Sequence, residues 1–271
     1  MFENETIGFV GGGNMGEALI RGLLSASLFT KERIFVYDAS PSRMEYLAGE
    51  YGINTCRNIG ELAASVGIVL IAVKPQVASH VLVELRSHIS RKVLLISIAA
   101  GITLDLMERC MPEGTAVVRV MPNTPALVQK GASALSKGKS VTAEQMEMSL
   151  ALFRAVGKAV EVEEKMMNAV TGLSGSGPGY ILLVIEALID AGVLVGLTRQ
   201  TARELVVQTV LGTASMLDQT GKHPAELKDM ITSPAGTTIE GLMAMEEKGV
   251  RAALMEAVLA GTRRSAELGK G

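Results

Sequence analysis

Apolar positions in the first half of the chain come in short, separated runs. "TIGFVG" (6–11), "RIFVYD" (33–38), "GIVLIAV" (67–73), "KVLLISI" (92–98) and "TAVVRVM" (115–121) are strand-length and rich in β-branched residues. Near-continuous apolar runs of this length are what strands buried on both faces require. Helix-length segments separate them, including 14–26 and 41–51, the second with Pro41 at its start. The alternation predicts right-handed βαβ units and an α/β fold built on a doubly wound parallel sheet.

The pattern changes near residue 160. Beyond "VEVEEK" it predicts helices at roughly 165–173, 177–195, 199–219, 223–231, 237–248 and 250–267. We therefore expect two domains, 1–162 carrying the sheet and 163–271 all helical, joined by a direct strand-to-helix hinge. "YILLVIEALIDAGVLVGL" is apolar nearly all round its helix. So small a helical domain offers little interior to bury it, which predicts a homo-oligomer with interleaved helices. Glu186 and Asp190 interrupt the run, which argues against a membrane span of about 20 residues. Four apart on one helix face, both acids are expected to be structural, met at the interface or by Arg199 or Arg203, with an acid/base pair as the alternative.

Composition narrows the function classes. Hydrophobic residues make up 48% and the net charge is −2, so nothing favours a polyanionic partner. Aromatics are 3% with no Trp, too few for a base-stacking platform, and we expect no nucleic-acid partner. Cys56 and Cys110 make neither a disulfide framework nor a zinc site. His80, His88 and His223 are scattered, and no metal site is expected. "MFENETIGFVGGG" lacks the regions of a signal peptide, so the expectation is a soluble, cytoplasmic protein.

"GFVGGGNMG" places Gly11, Gly13 and Gly16 between a strand and a helix. Gly11 allows the tight turn, Gly13 lets backbone approach a pyrophosphate, and Gly16 lets helix and strand pack closely. The helix amino end, with Asn14 and Met15, offers N–H groups to the phosphates. This context makes the first domain a Rossmann-type dinucleotide-binding domain. Asp38 ends the second strand, where a carboxylate receives the ribose hydroxyls of NADH. Ser40, Ser42 and Arg43 follow, a set suited to the 2′-phosphate of NADPH. Asp38 also reads as a turn or cap residue before Pro41. Asn58 is a further cofactor-binding candidate. Ala72, Val73, Lys74 and Pro75, then Ala99, Ala100 and Gly101, end the next strands and should line the nicotinamide half. Lys74 reads as a catalytic donor or a phosphate contact, with a surface cation on a Pro-limited turn as the alternative. Asn123, fixed between Pro122 and Pro125, is a candidate to orient a cofactor amide or a plain turn residue.

Taken together the chain resembles pyrroline-5-carboxylate reductase over nearly its whole length. The resemblance rests on "IGFVGGGNMGEALIRGLL", "AVKPQ", "SIAAGI", "RVMPNTPALV", "AVTGLSGSGPGY", "HPAELKDMITSPAGTTIEGL" and "AVLAGTRRSAEL". It implies reduction of Δ1-pyrroline-5-carboxylate to L-proline by hydride transfer from NADPH or NADH, the last step of proline biosynthesis. It also implies a helical dimerisation domain, a homodimer, and assembly as far as a decamer. A protonated C=N bond accepts hydride readily, so positioning is the enzyme's main work. That suits "SPAGTTIEGL" (233–242), whose one titratable group is Glu240. Thr237 and Glu240 fit a Thr-x-x-Glu capping box. N–H groups around Gly236, Thr237 and Thr238 are expected to bind the substrate carboxylate, with Ser233 beside them. The resemblance assigns the Thr238 hydroxyl to the ring nitrogen as the catalytic contact. Ser176, in "SGSGP", is expected to close the same pocket, unless that stretch is only a helix–helix turn.

Two positions depart from the family, which commonly has Ala at Gly179 and Gly at Ala235. The second matters if residue 235 needs positive φ, where a Cβ is strained. The alternatives are a β-hydroxyacid-dehydrogenase-like oxidoreductase and a non-catalytic nucleotide-binding regulatory protein. The first relies on a catalytic Lys that "TGLSGSGPGYILLVIEAL" lacks. The second has no use for a carboxylate pocket.

Overall fold

The structure, a computed structural model, describes residues 2, 4–89 and 92–269. In chain order the elements are β1 (Ile7–Val10), α1 (Asn14–Ser25), β2 (Ile34–Tyr37), α2 (Pro41–Tyr51), β3 (Asn54–Thr55), α3 (Ile59–Ser65) and β4 (Ile68–Ile71). Then come α4 (Pro75–Arg86), β5 (Leu94–Ser97), α5 (Leu104–Cys110), β6 (Ala116–Met121), β7 (Gly131–Lys137), α6 (Ala143–Arg154) and β8 (Gly157–Glu161). The chain ends in α7 (Met167–Val170), α8 (Gly177–Leu194), α9 (Arg199–Thr220), α10 (Pro224–Met230), α11 (Thr237–Glu247) and α12 (Val250–Leu268).

Eight strands form one sheet in the order β3-β2-β1-β4-β5-β6-β7-β8. All pairs are parallel except β6 with β7, an antiparallel step absent from the sequence expectation. Its cause is the short connection: residues 122–130 cannot make the helical crossover a parallel return needs. The strands β1, β4 and β5 are buried throughout. Their side chains alternate between two apolar layers. Ile7, Phe9, Ile68, Leu70, Leu94 and Ile96 pack with Leu19, Ile20 and Phe153 from α1 and α6. Val10, Val69, Ile71 and Leu95 pack with Leu62, Leu82 and Met107 from α3, α4 and α5. The five predicted strands are present. The strands β3 and β7 were not anticipated, because β3 has two residues and β7, "GASALSK", is small and polar; β8 is the strand of the expected strand-to-helix hinge.

The contacts divide the chain into two compact units, Met1–Ser176 with Gly261–Gly271, and Gly177–Ala260. Within the second, α8 and α9 pack closely: a Cβ on Gly192 would lie 2.8 Å from that of Ala202. Among the described residues of this unit only Ala202 and Leu227 are buried hydrophobics. Leu183 is 67% exposed and Leu194 85%. The helical stretch Glu164–Leu194 is long and apolar enough, by length and composition, to cross a membrane. Glu186 and Asp190 stand on it, and Asp190 pairs with Arg199 at 2.8 Å.

Candidate active site

The strand order reverses between β1 and β4, which opens a crevice at the carboxyl ends of the strands. Gly11 turns the chain there with φ +104°, and a Cβ on it would lie 2.6 Å from the Ala72 carbonyl oxygen. Gly13 precedes α1 as its N-cap, and no side chain caps that helix. Apart from its chain neighbours, nothing among the described residues lies within 4 Å of where a Gly13 Cβ would be. An open approach to bare helix N–H groups at Asn14 and Met15 fits a pyrophosphate.

The end of β2 is tied to this loop. The Asp38 carboxylate accepts the Gly12 N–H at 2.8 Å and the Ser40 N–H at 2.9 Å. It thus serves as a turn anchor, whatever else it meets. The Ser40 and Ser42 hydroxyls are 3.0 Å apart at the uncapped start of α2. Arg43 donates from Nε to the Gly12 carbonyl at 2.5 Å and pairs with Glu17. Its guanidinium lies 5.0 Å from the centre of the Tyr46 ring. Glu17 also accepts from Tyr51 at 2.8 Å. Burial works against its ionisation, but the hydrogen bonds from Arg43 and Tyr51 hold its carboxyl below the usual range. Burial and the bond to Glu17 push the Tyr51 phenol up to about 12. The sequence reading did not include Glu17, Tyr46 or Tyr51. The available signal was Arg43 itself, a half-buried cation that pairs with a carboxylate. Asn58 is the N-cap of α3 and accepts the Glu61 N–H at 2.8 Å.

After β4, Ala72 and Val73 lead to Lys74, which precedes α4 without capping it, and Pro75 opens the helix. After β5, Ala99 donates to the Ser97 hydroxyl at 3.3 Å, and Gly101 has φ +80°. A cavity of about 760 Å³ brings Pro75, Ala100 and Gly101 together with Thr171, Ser176 and Arg264. Both ends of the Asn123 side chain are engaged within the protein, by the Ser174 carbonyl at 3.0 Å and the Ala132 N–H at 2.8 Å.

The stretch 233–242 belongs to the second unit. The Gly236 N–H donates to the Ser233 carbonyl at 3.1 Å, closing a turn with Pro234 and Ala235 at its centre. Ala235 has φ +55°, so this position carries the backbone strain that a Cβ meets in the left-handed region. Gly236 is extended, with φ −81°, and is needed for space: a Cβ there would lie 2.3 Å from the Ser233 hydroxyl. The expected capping box does not form. Gly236, rather than Thr237, is the N-cap of α11, and no side chain caps it. The helix begins one residue too early for Thr237 to occupy the cap.

The helix starts sort into two groups. Asn58, Thr103, Thr142, Thr198 and His223 cap α3, α5, α6, α9 and α10 with their side chains. The starts of α1, α2, α4, α7 and α11 have no side-chain cap, and all of these but α7 carry candidate residues; the candidate Asn58 is itself the cap of α3. Bare amino ends concentrate where anions would bind. Among the described residues, no three His, Cys, Asp or Glu come together as a metal site.

Residues 164–268 match the family described as pyrroline-5-carboxylate reductase dimerisation, and residues 6–101 that of NADP oxidoreductase, coenzyme F420-dependent. A pyrroline-5-carboxylate reductase of Methanosarcina acetivorans is 48% identical, over 99% of both chains. The solved structure of one from Coxiella burnetii has a TM-score of 0.93 at 34% identity, covering 98% of this chain and 99% of that one. That of Plasmodium falciparum, with NADP bound, has a TM-score of 0.88 at 36% identity, covering 99% and 100%. With a shared fold, end-to-end coverage and nearly half the residues identical, the chain belongs to the pyrroline-5-carboxylate reductase family.

Proposed function

We propose that this protein reduces Δ1-pyrroline-5-carboxylate to L-proline with NADPH or NADH, the last step of proline biosynthesis. The observation that carries this reading is the bare amino end of α11, with Thr238 in its first turn. The N–H groups of Thr237 and Thr238 receive the substrate carboxylate, with Ser233 beside them; the Gly236 N–H is taken by the Ser233 carbonyl, and Gly236 contributes room in the turn instead. The Thr238 hydroxyl hydrogen-bonds the ring nitrogen and fixes the C=N carbon in place. No His or carboxylate acid is required, because the cyclic imine is protonated before it reacts. When bound, the reduced nicotinamide supplies the hydride.

Gly11, Gly13, Asn14 and Met15 would hold the pyrophosphate. Asp38, Ser40, Arg43 and Asn58 would surround the adenosine end. Ala72, Val73, Lys74, Pro75, Ala99, Ala100 and Gly101 would line the nicotinamide half. The Ser40, Ser42 and Arg43 set at the bare start of α2 supports a 2′-phosphate, hence NADPH. Comparing turnover with the two cofactors tests that choice. The exposed apolar surfaces of α8 and α9 support a homodimer through residues 163–271, associating further into a decamer. The protein is soluble and cytoplasmic in this reading, with residues 1–162 as its cofactor domain.

The deciding experiment is NAD(P)H oxidation by the purified protein with pyrroline-5-carboxylate, beside NAD(P)⁺ reduction with 3-hydroxyisobutyrate. Turnover of the imine and none of the hydroxyacid is expected. No activity with the imine overturns the assignment.

A further inference from the structure

Residues Thr171–Gly175 form a single π-helical turn between α7 and α8. The Ser176 N–H reaches back five residues to the Thr171 carbonyl, at 2.9 Å. Such turns are costly and recur at functional sites. Two hydroxyls bond back along the helix here, Thr171 to the Met167 carbonyl at 2.8 Å and Ser174 to the Val170 carbonyl at 3.1 Å. The Ser174 carbonyl has a special problem. Its α-helical partner would be the N–H of residue 178, which is proline and has none. Asn123 fills that gap with its amide, Nδ2 donating at 3.0 Å, while its Oδ1 accepts the Ala132 N–H at 2.8 Å. The two partners, one an acceptor and one a donor, fix which way the amide points. The approach is tight, since a Cβ on Gly175 would lie 2.7 Å from the Met121 methyl. The two ends of this turn, Thr171 and Ser176, both line the cavity that holds Ala100 and Gly101.

We propose that Asn123 is a positioning residue: it holds the Ser174 carbonyl, and through it sets where Ser176 stands in the cavity. Its amide is committed to the protein and does not orient the cofactor. The proposal rests on the function given above for the consequences in turnover, but the mechanical link stands on the geometry alone.

The test is Asn123→Asp, which keeps the acceptor for Ala132 and turns an oxygen toward the Ser174 carbonyl. Imine kcat/KM should fall on the order of tenfold, the loss expected for one unmade hydrogen bond with its acceptor stranded. NADPH affinity, measured by fluorescence titration without imine, should stay within about twofold. Ser176→Ala should add less than its full effect on top of Asn123→Asp, because both act on one contact. Amide exchange at Ser176 should accelerate in Asn123→Asp while the sheet core stays protected. Should that variant fail to fold, Asn123→Gln, which displaces both groups by one methylene, is measured in the same way. A fall in NADPH affinity that matches the loss in turnover overturns the proposal. So do unchanged kinetics, or full multiplicativity with Ser176→Ala. Unchanged exchange at Ser176 overturns it even if the wild type proves inactive on the imine, an outcome that separately removes the proposed function.

Discussion

The sheet unit and the helical unit use apolar residues in opposite ways. In the first, strands such as β1, β4 and β5 are wholly buried, between two apolar layers supplied by their own helices. In the second, two hydrophobic residues are buried among those described, while Leu182, Leu183, Leu194, Val195, Leu205, Leu211, Met243 and Met255 are exposed. A chain does not maintain that much open apolar surface alone. The sheet unit buries its own apolar faces, whereas the helical unit leaves open apolar faces that self-association would cover.

The strongest way to break this contrast is a charge in the helical unit. Leu183→Glu should abolish self-association, because a two-fold interface meets the change twice; the expected loss is about 4 kcal/mol, roughly a thousandfold in dissociation constant. Sedimentation equilibrium reads it, and an unchanged mass would erase the distinction between the units. Phe153→Ala, a fully buried position in the sheet unit, should instead cost about 3–5 kcal/mol of folding stability. Its loss should not depend on protein concentration, whereas the melting of the helical unit should rise with concentration.

Two glycines sharpen the comparison at the cofactor crevice. Gly11→Ala places a Cβ at φ +104° and 2.6 Å from the Ala72 carbonyl oxygen. It should cost about 2–3 kcal/mol, visible by denaturant melt. Gly13→Ala meets open space, so stability should move by less than about 0.5 kcal/mol while cofactor affinity falls about tenfold. If both changes lower stability alike, Gly13 is not reserved for a ligand.

The smallest expected effect is at Ala235. Replacing it by Gly relieves about 1 kcal/mol of strain at φ +55°. The same change adds unfolded-chain entropy of about 0.4–1 kcal/mol. Melting should therefore rise by no more than about 0.5 kcal/mol in stability, with imine KM unchanged or slightly higher as the turn loosens. A clear loss of stability would mean the turn has more room for the methyl than its backbone angle implies.

Much of this was legible along the chain. The strands β1, β2, β4, β5 and β6 announce themselves as apolar β-branched runs, and the helices of the second half follow their periodicity closely. The glycine loop reads correctly because a tight turn against a neighbouring strand leaves few residues to choose from. The strand β7 escaped notice, being small and polar, and the exposed edge strand β8, with Lys158 and Glu161, was legible only as the strand end of the hinge. The counter-ion of Arg43 also escaped, since Glu17 reaches it only because α1 and α2 lie side by side on the sheet. The capping box failed for a local reason: Thr-x-x-Glu is a pattern of side chains, but the backbone started the helix at Gly236.

The sequence by itself determined the fold class, the glycine loop and the family, because these rest on local periodicity and on residue types that few other backbones tolerate. Tertiary structure alone decided the antiparallel step between β6 and β7, the bare start of α11 and the positive φ of Ala235. It also decided the commitment of Asn123 to Ser174. Each of these depends on where a hydrogen-bonding group finds its partner, and a partner 51 residues away is set by packing rather than by pattern.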